Sequence, residues 1–312
     1  MRFGDLQRPQ LNKRLQSFAE RHRPLPGMPS AVERAALVEQ LIESIRRIEY
    51  AKRLAEMELS PDRANPASDL FDPLKAAVLH HRAGDVDEAF WLTFLATHCG
   101  RHIKDRWQLA RDLYGGYGGV GIWTWNRIST HLADFHKWMA KEYPAMTSDG
   151  VNRRFGNHRK YETLRPDSAR GTSRVIQSYV AWVGANRGHG LLVDEARQAV
   201  GPDPRAVFDH LYRSMKVVTS FGRTGRFDFL AMVGNLGLTN IVPGSPYLEG
   251  ATGPLSGAKL LFCGSKTATV DTATLDSWAV GLGDYLDMGM QAMEDGMCNW
   301  QKSPDKFIPF RG

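Results

Sequence analysis

The sequence predicts an all-α fold, and three observations carry that prediction. Apolar residues recur at helical spacing over most of the 312 residues, helix-start signatures precede several of those stretches, and alternating strand patterns are scarce. Ser30 with Glu33 reads as a capping box opening a long helix over 31–58, with Val38, Leu41, Ile42, Ile45 and Ile48 on one face. A second helix is expected near 73–82. Asp85 with Glu88 repeats the start signature before AFWLTFLATHCG, and Gly100 supplies the stop. Helices are expected near 103–113, 124–141 and 173–183. Asp203-Pro204 then places a cap and a first-turn proline before Val207, His210, Leu211 and Met215, which share a face. The last two predicted helices cover 223–236 and 274–295.

Two stretches break that rhythm. GGYGGVG (115–121) has no following Lys-Ser/Thr, so it reads as a turn between helices and not as a phosphate-binding loop. The stretch 240–264 mixes glycines and prolines with Leu260, Leu261 and Phe262, which predicts a specific backbone shape. The first 29 residues, with four prolines, are expected to wrap the surface. Residues 1–312 are read as a single two-lobed domain.

Composition excludes several classes. A 42% hydrophobic and 24% charged chain is ordinary globular material. No apolar run reaches the roughly 18–20 residues a membrane helix needs. The opening MRFGDLQRPQ lacks the apolar core of a secretory signal, so a cytoplasmic protein with no membrane partner is expected. Three scattered cysteines (Cys99, Cys263, Cys298) form neither a disulfide framework nor a CxxC site. His98 and His102 lie four apart, but no HExxH glutamate accompanies them, and no metal is expected.

Charge is segregated within a net +6. Residues 151–175 carry seven basic side chains against two acids, and 213–227 carry Arg213, Lys216, Arg223 and Arg226 with no acid. Residues 267–301 hold six acids and no Lys or Arg. A basic face of this kind suits a polyanion, and a merely solvated surface is the plain alternative.

The order TGPLSGAKLLF (252–262) then VDTATLDSW (270–278) resembles the helix–hairpin–helix DNA glycosylases, in which a glycine hairpin precedes a catalytic aspartate. Carried over, Gly253 and Gly257 fall in a DNA-phosphate hairpin, Lys259 near its end and Asp271 on the catalytic carboxylate, within a hairpin and carboxylate region spanning 213–298. The glycines here are four apart where the glycosylase hairpin has them two apart, and the gap to the aspartate is shorter. By the residues alone, Asp271 is equally placed to cap a helix.

A broader resemblance covers about 190 residues. FDPLKAAVLHHRAGDVDEAFWLTFLATHCG, WTWNRIS, FGNHRKYETL, FGRTGRFDFLAMVGNLGL and PGSPYLEGATGPLSGAKLLF look like the alpha-glutamyl/putrescinyl thymine pyrophosphorylases. These amino acid:DNA transferases are associated with phage and prophage DNA hypermodification. The resemblance implies an all-α, two-lobed, glycosylase-like fold in a bacterial or phage-infected cell. It implies double-stranded DNA carrying 5-hydroxymethyluracil pyrophosphorylated by an upstream DNA kinase. The transferase displaces the pyrophosphate with an amino acid or polyamine and needs no cofactor.

That chemistry sets requirements that residues can meet. The leaving pyrophosphate calls for Arg or Lys, and Arg159, Lys160, Arg223 and Arg226 are the candidates, with Asn157 and Tyr161 beside them. The amine must be neutral to attack, which calls for a base: Asp271 first, then His158 and Glu162, with Lys259 also held as catalytic. Arg153 and Arg154 are expected to contact DNA. The rival readings are a DNA glycosylase cleaving the N-glycosidic bond of a modified base and a non-catalytic DNA-binding module that uses the hairpin for phosphate contact.

Overall fold

The computed structural model describes residues 3–119 and 121–309. Among them lie fourteen α-helices and no β-sheet. The chain divides into two compact units. One comprises the described residues up to Ala51 and from Val242 onward, and the other runs from Lys52 to Ile241. The stretch 213–298 is therefore shared between the two.

The first unit is built on α1 (Phe3–Arg21), α2 (Ala31–Leu54, which crosses the boundary), α12 (Gly253–Cys263), α13 (Thr272–Leu286) and α14 (Met290–Trp300). The N-terminal segment does not merely wrap the surface as expected. It forms α1, and Leu11, Leu15 and Phe18 enter a core with Leu37, Leu41, Leu261, Leu282, Met297 and Trp300. Residues 1 and 2 of that segment lie outside the described residues. The capping box at α2 is present: Val32 N–H donates to Ser30 Oγ at 3.0 Å, and Ser30 N–H donates to Glu33 at 3.1 Å. The single helix expected over 274–295 is broken. Asp287 turns into the left-handed region (φ 57°) and Met288 N–H returns to Gly283 O at 2.8 Å, a Schellman-type stop.

The hairpin expected over Thr252–Phe262 is a helix, α12, and this corrects the role given to its glycines. A Cβ on Gly257 would sit 2.3 Å from Met297 O, and one on Gly253 would sit 2.6 Å from Cys298 Sγ. Both glycines therefore let α12 approach α14, a packing role that accounts for them without a phosphate. The sharp turn lies upstream, where Tyr247 (φ 52°) and Gly250 (φ 72°) reverse the chain and Leu248 N–H is held by Asp276.

The second unit contains α3 (Pro73–Arg82), α4 (Val86–Cys99), α5 (Gln108–Tyr114), α6 (Trp125–Thr130), α7 (Leu132–Ser148), α8 (Thr172–Val183), α9 (His189–Val200), α10 (Pro204–Ser214) and α11 (Arg223–Asn235). Helix α4 is its axis. Eleven of its fourteen residues are buried, because it is apolar all round and packs on α3, α5, α6, α9 and α11. Phe94 stacks on Tyr179 and Phe221, and Phe229 meets it edge-on. The expected 124–141 helix is two. The Thr130 hydroxyl bonds Asn126 O at 2.6 Å and His131 leaves the helical region, separating α6 from α7. Val120 of the glycine-rich stretch lies outside the described residues; the remainder forms a short turn around Tyr117 (φ 48°).

Glu88 shows how this unit uses a start signature differently from α2. Its N–H bonds Asp85 as expected, but its side chain turns inward, accepting from Tyr114 Oη at 2.7 Å and Trp125 N–H at 2.6 Å. Burial raises its pKa from 4.5 to about 7 against those two donors. A carboxyl whose folded pKa is raised holds its proton more tightly when folded. Its stabilising contribution is complete below about pH 4.5 and is lost as pH climbs through about 7. Stability should therefore fall by on the order of 3 kcal/mol across that window, and Glu88→Gln should flatten the slope in urea titrations at several pH values. In the other unit, Gly257→Ala should cost about 1–3 kcal/mol by the same measurement, because backbone and not a yielding side chain opposes the new methyl group.

Candidate functional site

Two segments far apart in sequence converge at the C-terminal end of α4. Gly156 N–H bonds Cys99 O at 2.8 Å, and Gly156 meets Gly100 so closely that a Cβ there would lie 2.9 Å from Gly100 C. This backbone-on-backbone contact starts the tight turn Asn157–Arg159. Arg159 then reaches back: Nε donates to Thr97 O at 2.7 Å and Nη2 donates to Asp228 Oδ2 at 2.9 Å. Asp228 belongs to the second turn of α11. Its side chain keeps 46% of its surface open, while surrounding protein raises its pKa and Arg159, His158 and Arg223 pull the other way.

The start of α11 is electropositive. Its N-cap is Gly222, no side chain caps it, and its first turn holds Arg223 and Arg226 with no acid. Two cations at a helix N-terminus oppose the helix dipole, an arrangement suited to an anion. The two arginines differ in use. Arg226 donates to Tyr212 O at 2.9 Å and lies over the Tyr212 ring at 4.2 Å, which makes it a strut. Arg223, stacked on Phe227 at 4.7 Å, contributes to the field at Asp228.

Glu162 is the most unusual group here. Its side chain is only 8% exposed, Arg170 Nη2 stands 3.8 Å from Oε1, and Ser220 bonds the carboxylate. Oε2 is buried with no hydrogen-bond partner. Burial raises the pKa, with Ser220, Arg170 and Arg159 opposing. Ser220 itself sits at φ 62°, a left-handed conformation that a serine adopts at a cost of about 1–3 kcal/mol. A strained residue supporting a buried, half-partnered carboxylate marks a functional place more strongly than either feature alone.

The structure thus gathers His158, Arg159, Glu162 and Arg223 of the predicted residues. Asn157, Lys160 and Tyr161 lie exposed on the same segment, with Lys160 Nζ 5.1 Å from the Tyr161 ring. Asp228 and Ser220 were missed, although both lie in or beside the quoted FGRTGRFD block. Arg153, expected to contact DNA, is 5% exposed and locked between Asp112 and Asp149. Arg154 grips Asp105 through two nitrogens at 2.6 and 2.7 Å.

His98 and His102 do not share a metal-binding point. His98 is buried against Thr172 Oγ1 at 3.0 Å with its pKa driven down to about 3 by burial, while His102 Nδ1 accepts backbone N–H groups of its own turn. Lys259 lies part-buried on α12, in the first unit.

Asp271 also lies in the first unit. It is the exposed N-cap of α13, accepting from Thr274 N–H at 2.8 Å and Thr274 Oγ1 at 2.6 Å, bonds that lower its pKa. A carboxylate held this way is a poorer base than Glu162.

At the other end of α4 a recess of about 450 Å³ is lined by His80, Asp85, Asp87, Trp125, Asn126 and Arg187. Its acidic groups are satisfied by the fold. Asp87 takes His189 Nδ1 at 2.9 Å, His189 Nε2 meets Tyr179 Oη at 2.7 Å, and both Glu88 oxygens are engaged. The convergence around Arg159 is therefore the stronger candidate.

The sequence model of one family, described as alpha-glutamyl/putrescinyl thymine pyrophosphorylase clade 3, matches residues 32–312. No curated protein and no solved structure matches the chain.

The cap geometry separates two roles for Asp271. Asp271→Ala should lower stability by about 1 kcal/mol in thermal unfolding, and Asp271→Asn, which keeps an accepting oxygen, should lose only a few tenths. A stable Asp271→Asn protein with no residual activity would instead return this residue to catalysis.

Proposed function

From the premise that the chain belongs to the alpha-glutamyl/putrescinyl thymine pyrophosphorylase family, a family whose name denotes an enzyme acting on thymine, we propose that it is a DNA base-hypermodifying transferase. It joins an amine, for which we take an amino acid, to 5-hydroxymethyluracil that an upstream kinase has pyrophosphorylated in double-stranded DNA. The amine lone pair forms a C–N bond at the exocyclic methylene. The C–O bond to pyrophosphate breaks, and pyrophosphate leaves with the bonding electrons.

The observation that carries this reading is the buried Glu162 oxygen beside a cluster of cations. Oε2 has room in its bonding for one donor, and the amine must shed one proton as it attacks. With its pKa raised by burial, Glu162 is a better proton acceptor than an exposed carboxylate. Arg159 and Arg223, with the uncapped start of α11, provide the positive field for the departing pyrophosphate. Asp228 holds Arg159 in register for that task and remains open enough to meet the amine's ammonium before it is deprotonated. The exposed cations Lys160, Arg170 and Arg174 border this segment and suit the phosphate backbone. No helix among the described residues is long and apolar enough to cross a membrane.

The test is nucleoside mass spectrometry of DNA carrying the pyrophosphorylated base, incubated with the protein and a pool of common amino acids and polyamines. A new nucleoside equal in mass to the methylpyrimidine plus one amine, with stoichiometric pyrophosphate, is expected. Glu162→Gln should cut the rate by roughly 100-fold or more while DNA binding holds. The wild-type rate should rise with pH as Glu162 ionises, because the deprotonated form is the active one. Intact bound substrate would overturn the proposal, and abasic sites would assign a glycosylase.

A further inference from the structure

Between α4 and α5 the chain makes a tight loop with unusual contents. His102 N–H donates to Arg106 O at 3.0 Å and Arg106 N–H donates to His102 O at 2.8 Å, so the five residues His102–Arg106 close into a miniature hairpin. Arg106 takes φ 53° to close it. Inside, His102 Nδ1 accepts Asp105 N–H at 3.2 Å, and the Asp105 carboxylate, 10% exposed, is gripped by Arg154. This loop is therefore braced from both sides.

At the tip stands Ile103, 69% exposed, flanked by the exposed Arg101, Lys104 and Arg106. A rigid loop that holds an isoleucine in water among three cations is poorly explained by solubility or by folding. The combination fits one surface, a nucleic-acid duplex, where phosphates take the cations and only the stacked bases offer an apolar slot. The loop also leaves directly from Gly100, whose backbone packs on Gly156 at the root of the segment carrying Arg159 and Glu162.

We propose that the 102–106 loop is a DNA wedge: Ile103 inserts into the base stack beside the target, and Arg101, Lys104 and Arg106 hold the flanking phosphates. This rests on the reading that the chain acts on DNA. The wedge supplies what a buried carboxylate requires of a duplex substrate, since the base must leave the stack to meet Glu162.

The experiment uses the full chain and duplex DNA with 2-aminopurine beside the target pyrimidine. Wild-type binding should raise the fluorescence several-fold. Ile103→Ala should bind with unchanged salt dependence but leave the probe quenched, and Ile103→Leu should restore the signal. On duplex carrying the activated base, Ile103→Ala should slow transfer roughly tenfold or more, whereas on a single-stranded oligonucleotide it should match wild type, because no stack needs opening. Equal losses on both substrates, or a fluorescence rise with Ile103→Ala as large as with wild type, would overturn the wedge. Fluorescence does not depend on turnover, so a chain that unstacks DNA yet transfers nothing would sink the transferase reading and leave the wedge standing. Absence of duplex binding would overturn the wedge itself.

Discussion

The guanidinium of Arg159 is the contact on which the candidate site depends. One edge bonds the part-buried carbonyl of Thr97 in the last turn of α4, and the other bonds Asp228 in α11. Helix ends leave carbonyls without intrahelical partners, and a planar fork with several donors is suited to satisfy one while pairing with a carboxylate. On the turn that carries Arg159, Asn157, His158, Lys160 and Tyr161 are all exposed. Without that anchor, Glu162 would have no reason to sit 92% covered three residues later. The Gly100–Gly156 contact serves the same end by letting two backbones touch.

Carboxylates in this chain illustrate how environment, and not residue type, assigns a role. Glu88 and Glu162 are both buried and both raised, but Glu88 has a donor on each oxygen while Glu162 has one oxygen unmet. The first is a finished piece of structure, and the second is open to chemistry. Asp87 and Asp271 go the other way, lowered by hydrogen bonds to the ionised form, which is what a cap or an anchor needs. Ser220 separates the two raised carboxylates further. Only Glu162 is backed by a non-glycine residue in a left-handed conformation, and such strain survives where surrounding structure enforces it.

Helical periodicity made most of the fold readable: α3, α4 and α10 pair a side-chain cap with apolar periodicity, and α8 and α11 were legible from periodicity alone. What escaped was controlled by tertiary contact. Helix α12 reads as a glycine turn because Gly253 and Gly257 lower helix propensity, yet their bareness is what lets α14 approach. Helix α1 carries a proline at position 9 and three more follow through residue 29, so its burial in a core is invisible until its partners are known. Helix α9 starts from Gly188 with no side-chain cap to announce it. The site was half legible for a related reason. Basic motifs at 157–160 and 223–226 stand out as strings, but Asp228 and Ser220 gain meaning only once the two strings meet.

Charge along the sequence also overstates what a polyanion would encounter. Of the seven basic residues over 151–175, Arg153 is spent on Asp112 and Asp149, Arg154 on Asp105, Arg159 on Asp228 and Arg165 on Asp167. Counterions are released only where a cation neutralises a phosphate, so a side chain already committed to a carboxylate adds little to the salt dependence of binding. The exposed cations at 101, 104 and 106 lie outside both basic stretches. Their concentration around one apolar side chain on a braced loop is the ground for proposing the duplex contact there. The buried arginines are left to position the chemistry.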